Sequence, residues 1–359
     1  MHLLKEAHVS GKSIFLRADL DVPIIENKIT DDTRLVSVIP TIEYLLKKSA
    51  KIIIAGHLGR PEGVDKKLTL EPVAKWFEKK LSTSSLKFLG KGEFNGWEIG
   101  ENIFLLENLR FFKGEEENDP EFSKKLASLA DLYVNDAFAI CHRKHASIVG
   151  ITKLLPHFAG LHLEKEVEVL SKVLKNPERP LAVIIGGAKI ETKIPLVEVM
   201  HQVADYVMVG GKLAEEVKTL LKIQHEKLIS SASGNKTALL IADLNDEGTD
   251  ITQKSAENFL QIVGLAKTVI WNGPLGKISE NKKELVKSEE GSKRIAEGLV
   301  KSGAYTIVGG GDTIGFLEKA CLLDNFACMS KDRCFISTGG GAMLSLLSGE
   351  KLPGVEALL

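Results

Sequence analysis

Short apolar runs rich in β-branched residues recur along the whole chain, each followed by glycine or polar residues and then by a longer helical pattern. In the first half the runs are Ser13–Leu16, Lys51–Ile54, Ile103–Leu106 and Leu132–Val134. In the second half they are Leu181–Ile185, Tyr206–Val209, Ala238–Ile241, Thr268–Trp271, Tyr305–Val308 and Cys334–Ile336. Continuous apolar runs suit strands covered on both faces, and their alternation with helices predicts an α/β fold built on parallel sheets. Arg34–Lys48 and Glu71–Leu81 read as helices, the second with Thr69 as its N-cap and Pro72 in its first turn. Leu161–Leu174 carries apolar residues at helical spacing with charges between them. It stops at Asn176-Pro177, because proline cannot donate to the preceding turn. A domain boundary is expected there; one large sheet with an exposed helix is the alternative. At roughly 100–200 residues per domain, a chain of 359 residues fits two.

The formal net charge of -1 gives no global attraction to nucleic acid or to anionic membrane, so an anion site has to come from local clustering. No apolar stretch reaches the roughly 20 residues of a membrane helix, and no secretory leader is visible. The four cysteines, Cys141, Cys321, Cys328 and Cys334, include no C-x-x-C pair and read as reduced, mostly buried thiols of a cytoplasmic protein. Pro61–Lys67 and Ile278–Glu290 are polar and charged, and read as solvated loops or helix starts.

The residues just after each apolar run are more specific. After the early runs come Asp19-Leu20-Asp21, His57-Leu58-Gly59-Arg60, Asn108-Leu109-Arg110 and Asn135-Asp136. After the later ones come Gly186-Gly187-Ala188-Lys189, Gly210-Gly211, Asn272-Gly273-Pro274, Gly309-Gly310-Gly311-Asp312-Thr313 and Gly339-Gly340-Gly341. Ligands of open parallel sheets bind beyond the carboxyl ends of the strands, so two different ligand surfaces are implied. The first is cationic, with Arg34, Arg60, Arg110 and Arg143 and with His57, His142 and His145 close in sequence. Guanidinium forks match carboxylate and phosphate oxygens, and several together suit a small, highly charged anion. Any one of these arginines alone reads equally well as a surface ion pair. The second surface is glycine-rich, which lets backbone N–H groups approach phosphate at helix N-termini. One such run alone is also what a tight turn or close helix packing needs; three at three strand ends favour a nucleotide. Asp312 could serve Mg²⁺ directly or through water. Lys189 and Lys193 would share one helix face if Lys189 opens a helix. No P-loop, protein-kinase motif set or nucleophile elbow occurs. His142 and His145 beside Cys141 fall short of a zinc ligand set.

Taken in order, these residues resemble the phosphoglycerate kinase family. The matching stretches are Arg17-Ala18-Asp19-Leu20-Asp21-Val22-Pro23, Asp32-Thr33-Arg34, Gly56-His57-Leu58-Gly59-Arg60-Pro61 and Glu107-Asn108-Leu109-Arg110-Phe111. Asn135-Asp136-Ala137-Phe138, His142-Arg143-Lys144-His145-Ala146-Ser147, Gly186-Gly187-Ala188-Lys189 and Trp271-Asn272-Gly273-Pro274 continue the series. Gly309–Thr313, Ser337–Ala342 and Leu352–Val355 complete it, so the likeness covers about residues 13 to 357.

The resemblance implies two Rossmann-like domains with helix-covered parallel sheets facing each other across a cleft. The expected divisions are 1–160, a hinge helix at 161–176, 177–341, and a segment at 342–359 returning to the first domain. It also implies reversible phosphoryl transfer from 1,3-bisphosphoglycerate to ADP, giving 3-phosphoglycerate and ATP, with Mg²⁺, in a cytoplasmic monomer. Asp19, Asp21, Arg34, His57, Leu58, Gly59, Arg60, Arg110 and Arg143 would then bind phosphoglycerate. Gly187, Lys193, Gly211, Asn272, Pro274, Glu280, Gly310, Gly311, Asp312, Thr313, Gly339 and Gly340 would bind the nucleotide, with Asp312 on the metal. Arg34 and Lys189 would stabilise the moving phosphoryl. Four departures stand out. Asp21 replaces the family's Asn, and Gly56 a Ser. Asp243–Ile251 is short. Lys277-Ile278-Ser279-Glu280 stands where a ribose-binding Glu is expected, so Ser279 and Glu280 are both candidates. Asp21 and the Gly276–Glu280 stretch also leave open a relative that binds nucleotide without turnover. A nicotinamide dehydrogenase lacks its G-x-G-x-x-G here.

Overall fold

Each apolar run picked out from the sequence forms a strand. A computed structural model describes residues 1–83, 86–91, 93–223, 237–279, 286–329 and 332–359. The chain divides into two compact units, Met1–Glu168 with Lys351–Leu359, and Val169–Glu350.

The first unit is built on seven strands in the order Leu86–Lys91, Phe94–Ile99, Ile103–Leu106, Lys51–Ala55, Ser13–Arg17, Leu132–Asn135, His157–Ala159. The five strands from Ile103–Leu106 onward run parallel, and the two at the other edge are antiparallel. Ile52, Ile53 and Ile54 are all buried, as a strand covered on both faces requires. The helix Thr33–Lys47 buries Leu35, Val38, Thr41, Ile42 and Leu45, a single stripe at helical spacing. Burying each Leu or Ile contributes about 1.5–3 kcal/mol, so this two-sided core is the main reason the sheet forms.

Two antiparallel strands and the short His157–Ala159 strand escape the apolar-run criterion. The edge strand Leu86–Lys91 is broken by Gly90 and lysines, because it has solvent on one side, and its neighbour Phe94–Ile99 by Asn95, Gly96 and Glu98. Phe88 and Leu89 are in fact exposed. The predicted cap of the helix Glu71–Lys80 also needs correcting, since the N-cap is Leu70 rather than Thr69. Glu107 holds that helix start instead: its carboxylate accepts from Leu70 N–H at 2.8 Å and from Thr69 Oγ1 at 2.7 Å.

The second unit holds six parallel strands in the order Ala238–Ile241, Tyr206–Val209, Leu181–Ile185, Thr268–Asn272, Tyr305–Gly309, Cys334–Ser337. The thiols are less buried than expected. Cys141 is buried, but Cys321 and Cys328 are exposed. Cys321 follows the end of the helix Gly311–Lys319 with φ of 54°, at a surface turn.

Register decides where chemistry can sit. Arg17 is level with Ala55 and with Asn135, so the loops starting at Ala18, Gly56 and Asp136 leave the first sheet side by side. In the second sheet Ile185, Asn272, Gly309 and Ser337 are level in the same way.

The helix Leu161–Lys175 begins on this first edge. Asp136 Oδ1 accepts from His162 N–H at 2.9 Å and Leu163 N–H at 3.1 Å, while Leu161 N–H donates to Thr41 Oγ1. Its other oxygen, Oδ2, is buried without a partner. Burial raises the Asp136 carboxyl to about 7, against the lowering effect of its hydrogen bonds. A carboxyl raised on folding gives stability that is complete below the ordinary carboxylate range and is lost as pH climbs through about 7. Asp136→Asn keeps the Oδ1 acceptor and cannot ionise. Its melting temperature relative to the parent is expected to rise from pH 5 to about pH 7 and to level off above it; a pH-independent difference would contradict this reading.

Candidate functional site

The carboxyl edge of the first sheet gathers an unusual density of charge. Arg17, the last residue of an otherwise apolar strand, is fully buried. Its Nε donates to Ser147 Oγ at 2.8 Å, its Nη1 to Ala18 O at 2.6 Å, and its Nη2 lies 3.2 Å from His57 Nδ1. The next loop carries Asp19 and Asp21. Asp19 is buried and accepts from Ala139 N–H at 2.9 Å; burial raises its carboxyl although Arg34 and Arg17 oppose the shift. Asp21 Oδ1 accepts from Gly59 N–H at 2.9 Å, and its Oδ2 lies 3.7 Å from Arg34 Nη1 and 3.8 Å from His57 Nε2. Arg34, in the first turn of its helix, donates from Nη1 to Asp21 O at 2.6 Å.

His57 is buried, and its imidazole is held well below the usual range by burial first, then by Arg17, Arg110, His145 and Arg34. It is therefore neutral near pH 7. The loop behind it is fixed by Asn108, whose Oδ1 accepts from Leu58 N–H and Arg110 N–H and whose Nδ2 donates to Leu58 O at 2.8 Å. Arg110 Nη1 donates to Gly59 O at 2.7 Å, and its Nε lies 3.2 Å from Glu116 Oε1. Arg143 is exposed, with Nε 3.1 Å from His142 Nε2. Burial, then Arg17, Arg110 and Arg143, push His145 down to about 3. Asp19, Asp21, Arg34, His57, Leu58, Gly59 and Arg110 thus converge, and Arg143 lies within electrostatic reach of His145. Arg60 is exposed beside Gly59. Leu58 is buried, so only its backbone faces the loop. Sequence reasoning overlooked Arg17, Asn108, Glu115 and Ser147 as members of this cluster. A charged residue closing a buried strand is the signal that marks Arg17.

The Gly56 departure has a steric cause. A Cβ there would lie 2.5 Å from Leu20 Cδ1 and Cγ and 2.9 Å from Ala18 O, because the buried Leu20 fills that space.

In the second unit, the four level strand ends bring glycine loops into contact. A Cβ on Gly186 would lie 2.2 Å from Pro274 O, and one on Gly309 2.1 Å from Met343 Sδ, so these glycines serve close packing. Gly311 differs, because a Cβ there would meet nothing within 4 Å. Gly310 and Gly339 are the N-caps of the helices Gly311–Lys319 and Gly340–Leu347, and neither start is capped by a side chain. The two starts are adjacent: a Cβ on Gly340 would lie 3.4 Å from Gly311 N. Thr313 Oγ1 accepts from Gly273 N–H at 2.7 Å, fixing the Asn272–Pro274 loop against this edge. Asp312 is exposed in the first helical turn. Lys189 is exposed and is the N-cap of the helix Ile190–Val203.

Lys193, four residues on, is buried, and its ammonium donates to Gly186 O and reaches Asn272 O at 3.5 Å. Burial lowers it to about 8, while Asp312 opposes that shift. Gly211, at φ 64°, packs against Leu275 O and Gly187 N.

Glu280 lies outside the described residues. Within the Ile278–Glu290 stretch, Glu289 is fully buried rather than solvated. It pairs with Lys319 Nζ at 2.7 and 2.8 Å and accepts from Ser279 N–H at 3.1 Å and Val286 N–H at 2.8 Å, which satisfies the buried carboxylate. No group of three or more His, Cys, Asp or Glu that could hold a metal ion occurs among the described residues.

Comparison with known proteins agrees with this geometry. The phosphoglycerate kinase family model matches residues 4–242 and 215–350. The cytosolic phosphoglycerate kinase of Triticum aestivum is 40% identical, over 99% of this chain and 97% of its own. The phosphoglycerate kinase of Leptospira biflexa is 38% identical, over 99% of this chain and 98% of its own. Among solved structures, phosphoglycerate kinase from Coxiella burnetii aligns with a TM-score of 0.78 and 33% identity over 99% of this chain and 98% of its own. The Pyrococcus horikoshii enzyme gives 0.80 and 28% over 100% and 98%.

Restoring serine at position 56 should overpack the Leu20 pocket. Gly56→Ser is expected to cost about 1–3 kcal/mol in denaturant unfolding, and clearly less when it is introduced into a Leu20→Ala background. An equal cost in the two backgrounds would show that Leu20 is not the obstacle.

Proposed function

The chain belongs to the phosphoglycerate kinase family and is a phosphotransferase of glycolysis, and on that footing we propose how its own residues share the work. The reading of the first surface is carried by one observation. The Asp21 carboxylate already lies among the Gly59 N–H, the Arg34 guanidinium and the His57 imidazole. A pocket that arranges donors around one carboxylate is built for oxyanions. Phosphoglycerate binds there, with Arg34, Arg110, Arg60 and Arg143 as cations, His57 as a neutral donor, the Leu58–Gly59 backbone lining the site, and Asp19 and Asp21 orienting these groups.

The nucleotide binds in the second unit. Its phosphates face the uncapped helix starts at Gly310–Thr313 and Gly339–Gly340, where N–H groups and the helix dipole favour negative charge. Gly187, Gly211, Asn272 and Pro274 shape that edge, and Ser279 and Glu280 remain the two candidates for the ribose contact. Lys193 supports the Gly186 loop and its charge faces the same edge. Mg²⁺ rides with the nucleotide. The exposed Asp312 carboxylate fits an ion that prefers one or two carboxylates plus phosphate oxygens, and when bound the ion neutralises phosphate charge.

Transfer is direct and in-line, and positioning with charge neutralisation supplies most of the acceleration. Arg34 and Lys189 stabilise the moving phosphoryl. Acid and nucleotide bind in different units, with the Leu161–Lys175 helix as the proposed hinge, and exclusion of water protects the acyl phosphate from hydrolysis. A cytoplasmic monomer that deals in small molecules is the setting proposed. No helix among the described residues is long and apolar enough to cross a membrane. Nothing observed favours a silent nucleotide-binding relative.

A coupled assay with 3-phosphoglycerate and Mg-ATP should show turnover, and Lys189→Ala should lower kcat by about 100-fold or more while ADP still binds. Loss of ADP binding in step with kcat would deny Lys189 a role in the transfer step. Asp21→Asn keeps the acceptor for Gly59 N–H and removes a negative charge beside the anionic substrate. Its KM for 3-phosphoglycerate is expected to stay level or fall, and a large rise would show that the carboxylate charge is needed.

A further inference from the structure

Behind the proposed acid site lies a chain of buried polar groups that touches no expected ligand. Glu115 is fully buried, although the run Glu115-Glu116-Glu117 reads as a solvated surface. Its Oε1 accepts from Ser147 Oγ at 2.6 Å and its Oε2 from Ser147 N–H at 3.0 Å. Ser147 Oγ has spent its proton on Glu115, so toward Arg17 Nε, at 2.8 Å, it can only accept. Arg17 is thereby fixed at Nε, and Nη1 on Ala18 O fixes the guanidinium plane. Tyr133 OH, also buried, donates to Ser147 O at 2.8 Å and holds the serine from behind. What remains free to aim is Nη2, and it points at His57 Nδ1.

A guanidinium has no lone pair to offer and cannot give up its proton near neutral pH, so the nitrogen it faces must accept. Nδ1 of His57 therefore carries no proton, and Nε2 does. Nε2 faces Asp21 Oδ2 at 3.8 Å, beyond hydrogen-bond length, and so looks into the acid site.

We propose that Glu115, Ser147 and Arg17 are positioning residues that lock His57 as the Nε2–H tautomer, making it a neutral, fixed hydrogen-bond donor to the bound acid. The proposal rests on reading this surface as the phosphoglycerate site. It explains why a fully buried arginine ends the strand Ser13–Arg17, where the apolar pattern would continue. It also gives His57 a different task from the arginines around it: they supply charge, and it supplies direction. Of the groups around the imidazole, Arg17, Arg110, His145 and Arg34 oppose a charged ring, and they outnumber the one carboxylate, Asp21, that would favour it.

The test is ¹⁵N–¹H correlation NMR of the histidine rings in the full-length, ligand-free protein, with His57 assigned by its absence in His57→Asn. The expected result is a pure Nε2–H pattern that does not titrate between pH 5.5 and 8. Ser147→Ala cuts the chain, so the pattern should become a tautomer mixture, with KM for 3-phosphoglycerate raised about 3- to 10-fold, the worth of one misaimed hydrogen bond, and kcat changed less. Glu115→Gln keeps the shape and one of the two acceptors for Ser147, and loses the other together with the charge opposite Arg17. It should move both readouts in the same direction by less, and it serves if Ser147→Ala does not fold. An Nδ1–H pattern, ordinary titration of His57 in the parent, or an unchanged pattern and KM in the variant that folds would overturn the proposal. Adding 3-phosphoglycerate to the parent should shift the His57 Nε2 signal. If it does not, the placement of the acid is wrong while the tautomer lock can still hold.

Discussion

A parallel strand covered on both faces can offer chemistry only at its ends. That constraint governs both halves of this protein. Ile52–Ile54 and Leu181–Ile185 are buried along their length, so no side chain within them can meet a ligand. The register then sets which strand ends lie together. Arg17 with Ala55 and Asn135, and Ile185 with Asn272 and Gly309, line up the loops that leave each sheet. Charge and open backbone are concentrated on two edges because the strands leave them nowhere else to go.

The two edges use that position differently. The first keeps cations in a half-buried pocket and restrains them with carboxylates that are themselves well bonded, such as Asp21 on Gly59 N–H and Glu115 on Ser147. Leaving any of these groups unpaired would cost far more than the pairing contributes, so the cluster is built to be complete before a ligand arrives. The second edge carries little side-chain charge. Gly310 and Gly339 leave helix starts uncapped, and the nearest lysine, Lys193, is turned onto Gly186 O and Asn272 O. Burying the lysine ammonium is possible only because Gly187 and Gly273 have no Cβ to occupy its place.

The central strands, the helix stripes and the loops at the strand ends were legible in the sequence, because two-sided burial writes a continuous apolar run and a ligand-facing loop interrupts it with Asp, Arg or Gly. Edge strands such as Leu86–Lys91 were not, since half of each faces water and no run is needed. Glu289 was misread for a related reason. It stands in a polar, charged stretch that looks solvated, and only a tertiary partner, Lys319, makes its burial tolerable; Glu115, buried against Ser147, carries no local signal either. Glycine was ambiguous throughout: Gly186 and Gly309 are packing positions, whereas Gly311 faces open space, and no local pattern separates the two.

The claim that a guanidinium-lined acid site and a backbone-lined nucleotide site are separately built is tested most directly by calorimetric titration of Arg34→Ala with each ligand. Removing a charge-assisted contact should weaken 3-phosphoglycerate binding by about tenfold or more and leave MgADP binding within about twofold. Equal weakening of both ligands, or no effect on the acid, would contradict the account.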